Sequence, residues 1–146
     1  MARMVDIGKK KAVRRSATAT GTLLLHESTV KAIVRNEVKK GDVVTSSKLA
    51  GIQAAKATST TLPLCHQVPL TSVEIEMQAS GVKLVSTCTV SAEYKTGVEM
   101  EALVGVAASL LNAWDMVKYL EKDSKGQYPS TAVQDVRVIR KKKGGR

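Results

Sequence analysis

Asp115 and Lys118 stand three residues apart near the end of TGVEMEALVGVAASLLNAWDMVKYLEK, residues 96–122. At that spacing on a helix they share a face. A carboxylate and an ammonium so placed form a surface ion pair, worth ~0–1 kcal/mol. Alternatively they form an acid–base pair whose pKa values are set by each other's charge and by desolvation. Pattern alone favours the surface ion pair; the alternative draws on the preceding stretch. The 13 residues from Ala102 to Trp114 carry no charge. A helix without a polar face needs cover beyond the sheet it packs on, most economically from a second subunit. The pair would then lie at the edge of a dry interface.

Other residues could join that chemistry. Glu99 and Glu101 open the same helix. Thr96 and Glu99 fit a capping box, and Glu101 suits the positive end of the helix dipole. Cys65 and His66 adjoin in the proline-flanked LPLCHQVPL, residues 62–70. Zinc needs about four ligands at suitable spacing, and two Cys and two His without that spacing do not supply them. Sequence neighbours point apart, which argues against a Cys–His nucleophile. His66 remains a candidate for hydrogen bonding to a ligand. Lys40, in KKGDV, sits on a turn between two predicted helices. No Walker loop or dinucleotide fingerprint is present.

At 146 residues, 43% hydrophobic and 25% charged, the chain reads as one soluble domain able to bury a core. The charge-free run falls short of the ~20 residues of a membrane span. The start is basic without an apolar leader, so a cytoplasmic protein with Cys65 and Cys88 reduced is expected. The net charge of +10 comes from the ends. Residues 1–15 and 140–146 hold 11 of the 23 basic residues and one acid, and read as basic, flexible extensions. Such ends attract polyanions, either nucleic acid or a phosphorylated small molecule. A nucleic-acid-binding protein is therefore the competing reading. With no Phe, one Trp and three Tyr, few rings are available to stack on bases.

Periodicity predicts strand 18–26, helices 27–37 and 45–61, strands 71–79 and 82–94, the long helix, and a last strand at 132–140. The second helix is expected to begin at its hydroxyl residues and to face Leu49, Ile52 and Lys56 one way. With that helix as an insertion, the order is the split βαβ pattern of an α+β, ferredoxin-like fold, an antiparallel sheet with helices on one face.

Taken together, MVDIGKK, KKGDVVTSSKLAGIQAAKAT, LPLCH, TGVEMEAL and WDMVK resemble, in order and spacing, the molybdenum cofactor biosynthesis protein C family of cyclic pyranopterin monophosphate synthases. The resemblance covers roughly residues 4–120 and resumes at VRVIRK. It implies conversion of a cyclic dihydro-GTP intermediate into cyclic pyranopterin monophosphate with release of pyrophosphate. It implies a hexamer built as a trimer of dimers, with sites at subunit interfaces. The family's catalytic aspartate and lysine fall on Asp115 and Lys118, and its general-acid lysine on Lys40. Substrate contacts fall on Leu64, Cys65, His66, Met100 and Glu101, with an arginine on Arg15 and a lysine on Lys56. Glu99 and Lys10 are added as candidate substrate-binding groups, Lys10 with Arg15 and Lys56 for the triphosphate. No metal ligand set or resident cofactor is implied, although Mg²⁺ accompanying the triphosphate is compatible. The chain departs from the family's pattern at Gln67, usually proline, in the loop 121–131, which is longer, and in its KKKGGR tail.

Overall fold

The computed structural model describes residues 1–144. Strand β1, Val13–Leu24, starts at Val13 rather than Thr18. It turns Arg15, Ala17, Ala19 and Leu23 inward. On its other face Thr18 and Thr20 meet Thr89 and Thr87 at 3.0 and 3.4 Å. Helices α1 (Glu27–Val34), α2 (Val43–Lys56) and the single turn α3 (Thr58–Thr61) follow. Strands β2 (Leu70–Ser80) and β3 (Lys83–Tyr94) then form a hairpin. Its turn needs the positive φ of Gly81, +63°, which glycine adopts without steric cost. Helix α4 (Glu99–Glu121) and strand β4 (Ala132–Lys143) complete the chain.

The sheet order is β2-β3-β1-β4, with every pair antiparallel. This is the expected α+β, ferredoxin-like arrangement. The inner faces of β1 and β3 carry small and apolar residues, including Leu84, Cys88, Val90 and Ala92. Against them lies the buried stripe of α4: Ala102, Val106, Leu110, Ala113 and Val117. By length and composition α4 could cross a membrane, but half of its most apolar window is buried within the fold. It is the core helix of this chain.

Helix α2 packs on α4 through small residues. Its buried positions are Val43, Ser47, Gly51 and Ala55, whereas Leu49 is 62% exposed. The expected Leu49–Ile52–Lys56 face is therefore corrected. Close approach to α4 selects the small stripe, and Lys56 stays in solvent. A Cβ at Gly51 would meet Ile75 Cδ1 at 2.3 Å and Gly105 O at 2.7 Å. Polar groups along α4 are paired: Ser86 Oγ with Ser109 Oγ at 2.7 Å, and Asn112 Nδ2 donating to Ser47 Oγ at 3.1 Å.

Three further local expectations are corrected. Helix α4 begins at Glu99 with Val98 at the N-cap and no side-chain cap, so Thr96 and Glu99 make no capping box. Asp42, not the hydroxyl residues after it, caps α2 by accepting from Thr45 N at 3.0 Å. The basic C-terminal run is strand, not extension, as far as Lys143, which pairs with Arg15; Gly145 and Arg146 lie outside the described residues.

The far end of α4 is anchored by Glu121, which is fully buried. It accepts from Thr29 Oγ1 at 2.5 Å, Thr131 Oγ1 at 2.6 Å and the His26 backbone N–H at 3.1 Å. These bonds tie α4 to the starts of α1 and β4, and they offset the desolvation of the carboxylate. The α2–α4 contact is the most sensitive place to probe this packing. Gly-to-Ala in a helix normally gains ~1 kcal/mol, but Gly51→Ala should lose a net ~1–2 kcal/mol through overpacking. Equilibrium urea unfolding would read this as a lower midpoint.

Candidate active site

Lys40 is placed by its neighbours in the chain. Val38 is buried, and its carbonyl accepts from Gly41 N at 3.0 Å. Gly41 has φ +112°, a conformation that favours glycine. Asp42 then starts α2. The turn thus projects Lys39 and Lys40 toward α4. Lys40 Nζ lies 2.8 Å from Asp115 Oδ2, and Lys118 Nζ lies 3.0 Å from Asp115 Oδ1. Sequence-distant Lys40 therefore joins the predicted Asp115–Lys118 pair.

The hydrogen bond from Lys40, reinforced by that from Lys118, holds the Asp115 carboxyl below its usual range. The hydrogen bond and charge of Asp115 hold the Lys118 ammonium above its own. The Asp115 carboxylate thus stays ionised between the two lysine side chains. Their side chains are 48%, 53% and 44% exposed for Lys40, Asp115 and Lys118. The desolvation expected at a dry edge is not supplied by the packing within this chain.

The other predicted residues gather at the opposite end of α4. Glu101 is 3% exposed, with the Cys65 thiol 3.9 Å from its Oε2. Burial, then the charge of Glu99, push the Glu101 carboxyl upward. Burial and the Glu101 charge likewise raise the Cys65 thiol, which makes it a poor nucleophile. Cys88, buried on β3, is pushed up to about 12 by desolvation. Both cysteines are free thiols.

Glu99 Oε1 has Lys141 Nζ at 3.2 Å, an ion pair whose direction falls short of a hydrogen bond. Met100 and Leu64 are exposed. His66 Nε2 lies 2.5 Å from Val5 O, so the N-terminal segment that carries Lys10 passes over the LCH loop. Arg15 is 6% exposed, yet among the described residues its guanidinium reaches only the carbonyls of Tyr94 and Lys95, each at 3.4 Å. Lys56, at the end of α2, lines a groove of ≈ 600 Å³ with Gln67 and Val73. Among the described residues no group of three or more His, Cys, Asp or Glu converges as a metal ligand set.

The site residues thus fall into two clusters. Lys40, Asp115 and Lys118 form one. Cys65 and Glu101 form the other, with Leu64, His66, Met100 and Glu99 next to them in the chain; Lys56 lines a groove with Gln67, Arg15 reaches the carbonyls before α4, and Lys10 lies on the N-terminal segment. Glu101 and Asp115 are separated by ~21 Å of helix. Two contacts escaped the sequence reading. Lys141 was one charge within a basic run. Tyr119, four residues beyond Asp115, donates no charge and carries no motif, but its hydroxyl accepts from Lys39 N at 2.9 Å.

The buried acid gives a pH test. An unfolded Glu101 ionises near pH ~4.3, before the folded one does. Stability is therefore lost as pH rises between those two points, and the loss is complete above the folded pKa. Glu101→Gln should stabilise the fold at neutral pH, with the gain vanishing in acid, as read by denaturant unfolding across pH. The same variant should speed alkylation of Cys65, because a charge that disfavours its thiolate is removed.

Comparison with known proteins bears on this geometry. The model of the MoaC family matches residues 4–144. A probable cyclic pyranopterin monophosphate synthase of Saccharolobus solfataricus is 52% identical over 142 residues, 96% of this chain and 94% of the relative. One of Archaeoglobus fulgidus is 47% identical over 144 residues, covering 99% and 92%. A Methanothermobacter thermautotrophicus relative, named a probable synthase accessory protein, is 48% identical over 141 residues, covering 97% and 89%. With likeness of this extent along nearly its whole length, the chain belongs to the MoaC family.

Proposed function

We propose that this chain is a cyclic pyranopterin monophosphate synthase, a lyase of molybdenum cofactor biosynthesis. It converts a cyclic dihydro-GTP intermediate into cyclic pyranopterin monophosphate and releases pyrophosphate. The observation that carries the reading is Asp115 bridged by Lys40 and Lys118, in a chain alike throughout to relatives named for that synthase. Remaking a purine ring into a pterin moves protons onto and off ring atoms, which is general acid–base work. Lys40 donates a proton as the ring opens, and Asp115 with Lys118 serves as the acid–base pair. Expelling pyrophosphate requires cations on the leaving group, a role for Arg15, Lys56 and Lys10, with any Mg²⁺ arriving on the triphosphate.

One substrate cannot span ~21 Å of a single helix. The opposite stripe of α4 suggests how the clusters meet. Leu103, Val104, Ala107 and Ala108 are only half-buried, and Leu111 is 55% exposed. We assign this apolar stripe to contact with a second copy, in an assembly of the trimer-of-dimers type. Two such helices packed antiparallel bring the Glu101 end of one to the Asp115 end of the other. The partner also supplies the desolvation that a lone subunit lacks. The free thiols suit the reducing cytoplasm.

Supplying the cyclic dihydro-GTP intermediate and measuring pyrophosphate and pterin tests the activity. Lys118→Ala should lose at least ~10²-fold in turnover while the assembly, read by light scattering, is unchanged. Near-normal product formation would refute the role of Lys118. Mixing inactive Glu101 and Asp115 variants should restore part of the activity through hybrid assemblies. No recovery despite demonstrated subunit exchange counts against a shared site.

A further inference from the structure

The chain has no Phe, one Trp and three Tyr, and three of those four rings lie near one end of α4. Trp114 and Tyr119 flank Asp115 on α4, and Tyr128 of the following loop meets Trp114 edge-on at 5.3 Å. Of the three, Tyr119 touches the turn that carries Lys40. Its hydroxyl accepts the Lys39 backbone N–H at 2.9 Å. The Lys39 ammonium sits 5.1 Å above its ring, within cation–π range.

Tyr119 is four residues beyond Asp115, so both project from one face of α4. That face therefore grips the turn twice: Asp115 holds the Lys40 side chain, and Tyr119 holds the backbone one residue earlier. The second grip matters because lysine is a flexible four-carbon stem. Its ammonium can be delivered reproducibly only if the backbone at its root is held, and a misplacement of ~1 Å can cost ~10²-fold in rate. Tyr119 is 38% exposed, so its hydroxyl contributes little to the core. We propose that Tyr119 is a positioning residue for Lys40, holding the Lys39–Lys40 turn so that the ammonium meets Asp115 and the substrate. The proposal rests on the role of Lys40 given above.

Tyr119→Phe keeps the ring under Lys39 and removes only the acceptor. It should lower kcat about three- to tenfold, the loss of one hydrogen bond, with KM within about twofold of wild type. In the resting protein, acetylation of Lys40 by acetic anhydride, read by mass spectrometry against exposed Lys125, should be several-fold faster than in wild type. A merely structural contact would change thermal stability and leave that ratio alone. Lys40→Ala is run in parallel. If it is fully active, the role of Lys40 itself is overturned. If it is inactive while Tyr119→Phe shows wild-type kcat or a wild-type acetylation ratio, the Tyr119 proposal alone fails.

Discussion

The burial of α4 along one stripe is the constraint from which the remaining geometry follows. Ala102, Val106, Leu110, Ala113 and Val117 give the sheet its cover. Gly105 lets α2 approach so closely that a Cβ at Gly51 would strike its carbonyl. A helix held this tightly is a rigid spacer, rising ~1.5 Å per residue. Whatever is fastened to its two ends is kept apart. Glu121 secures one end through three donors from α1 and the start of β4. At the other end, Lys141 of the edge strand approaches Glu99.

The two ends are electrostatic opposites. At the Asp115 end, a carboxylate lies between two lysine side chains in contact with solvent; both favour its ionised form, and it favours that of Lys118. At the Glu101 end, a carboxyl is buried beside the Cys65 thiol, and desolvation favours its proton. The helix dipole opposes this, since its N-terminus favours an anion, but burial is the larger influence. One end therefore holds a carboxylate between two lysine side chains in contact with solvent. At the other, a buried carboxyl lies beside a thiol and close in sequence to the Glu99–Lys141 ion pair.

Much of the fold is legible in the residues. Strict alternation in TSVEIEMQA, followed by Gly81, yields the hairpin because its inward side chains Val73, Ile75 and Met77 need one buried face. The order of strands and helices yields the ferredoxin-like topology because few sheets accommodate it. Local details were less legible. The α2 face could not be read from hydrophobicity, since the contact selected Ser47, Gly51 and Ala55 for size, and left Leu49 outside. Thr96 had the right spacing for a cap, but the chain enters α4 through Val98, which is fully buried. The lysine-rich end lies in β4 because β1 offers it an unpaired edge, which outweighs its weak strand propensity.

The amino-acid sequence alone determined the pairing of Asp115 with Lys118, because helical spacing is a local property. It also determined the apolar character of α4 and the motifs that mark the family. Only the tertiary structure decided that Lys40 completes that pair and that Glu101 lies in a dry cluster with Cys65. Only the fold, too, set Tyr119 beneath the Lys39–Lys40 turn. Those contacts join residues 36 to 80 positions apart, and closure over such distances is enforced by the core, not by any local preference of the chain.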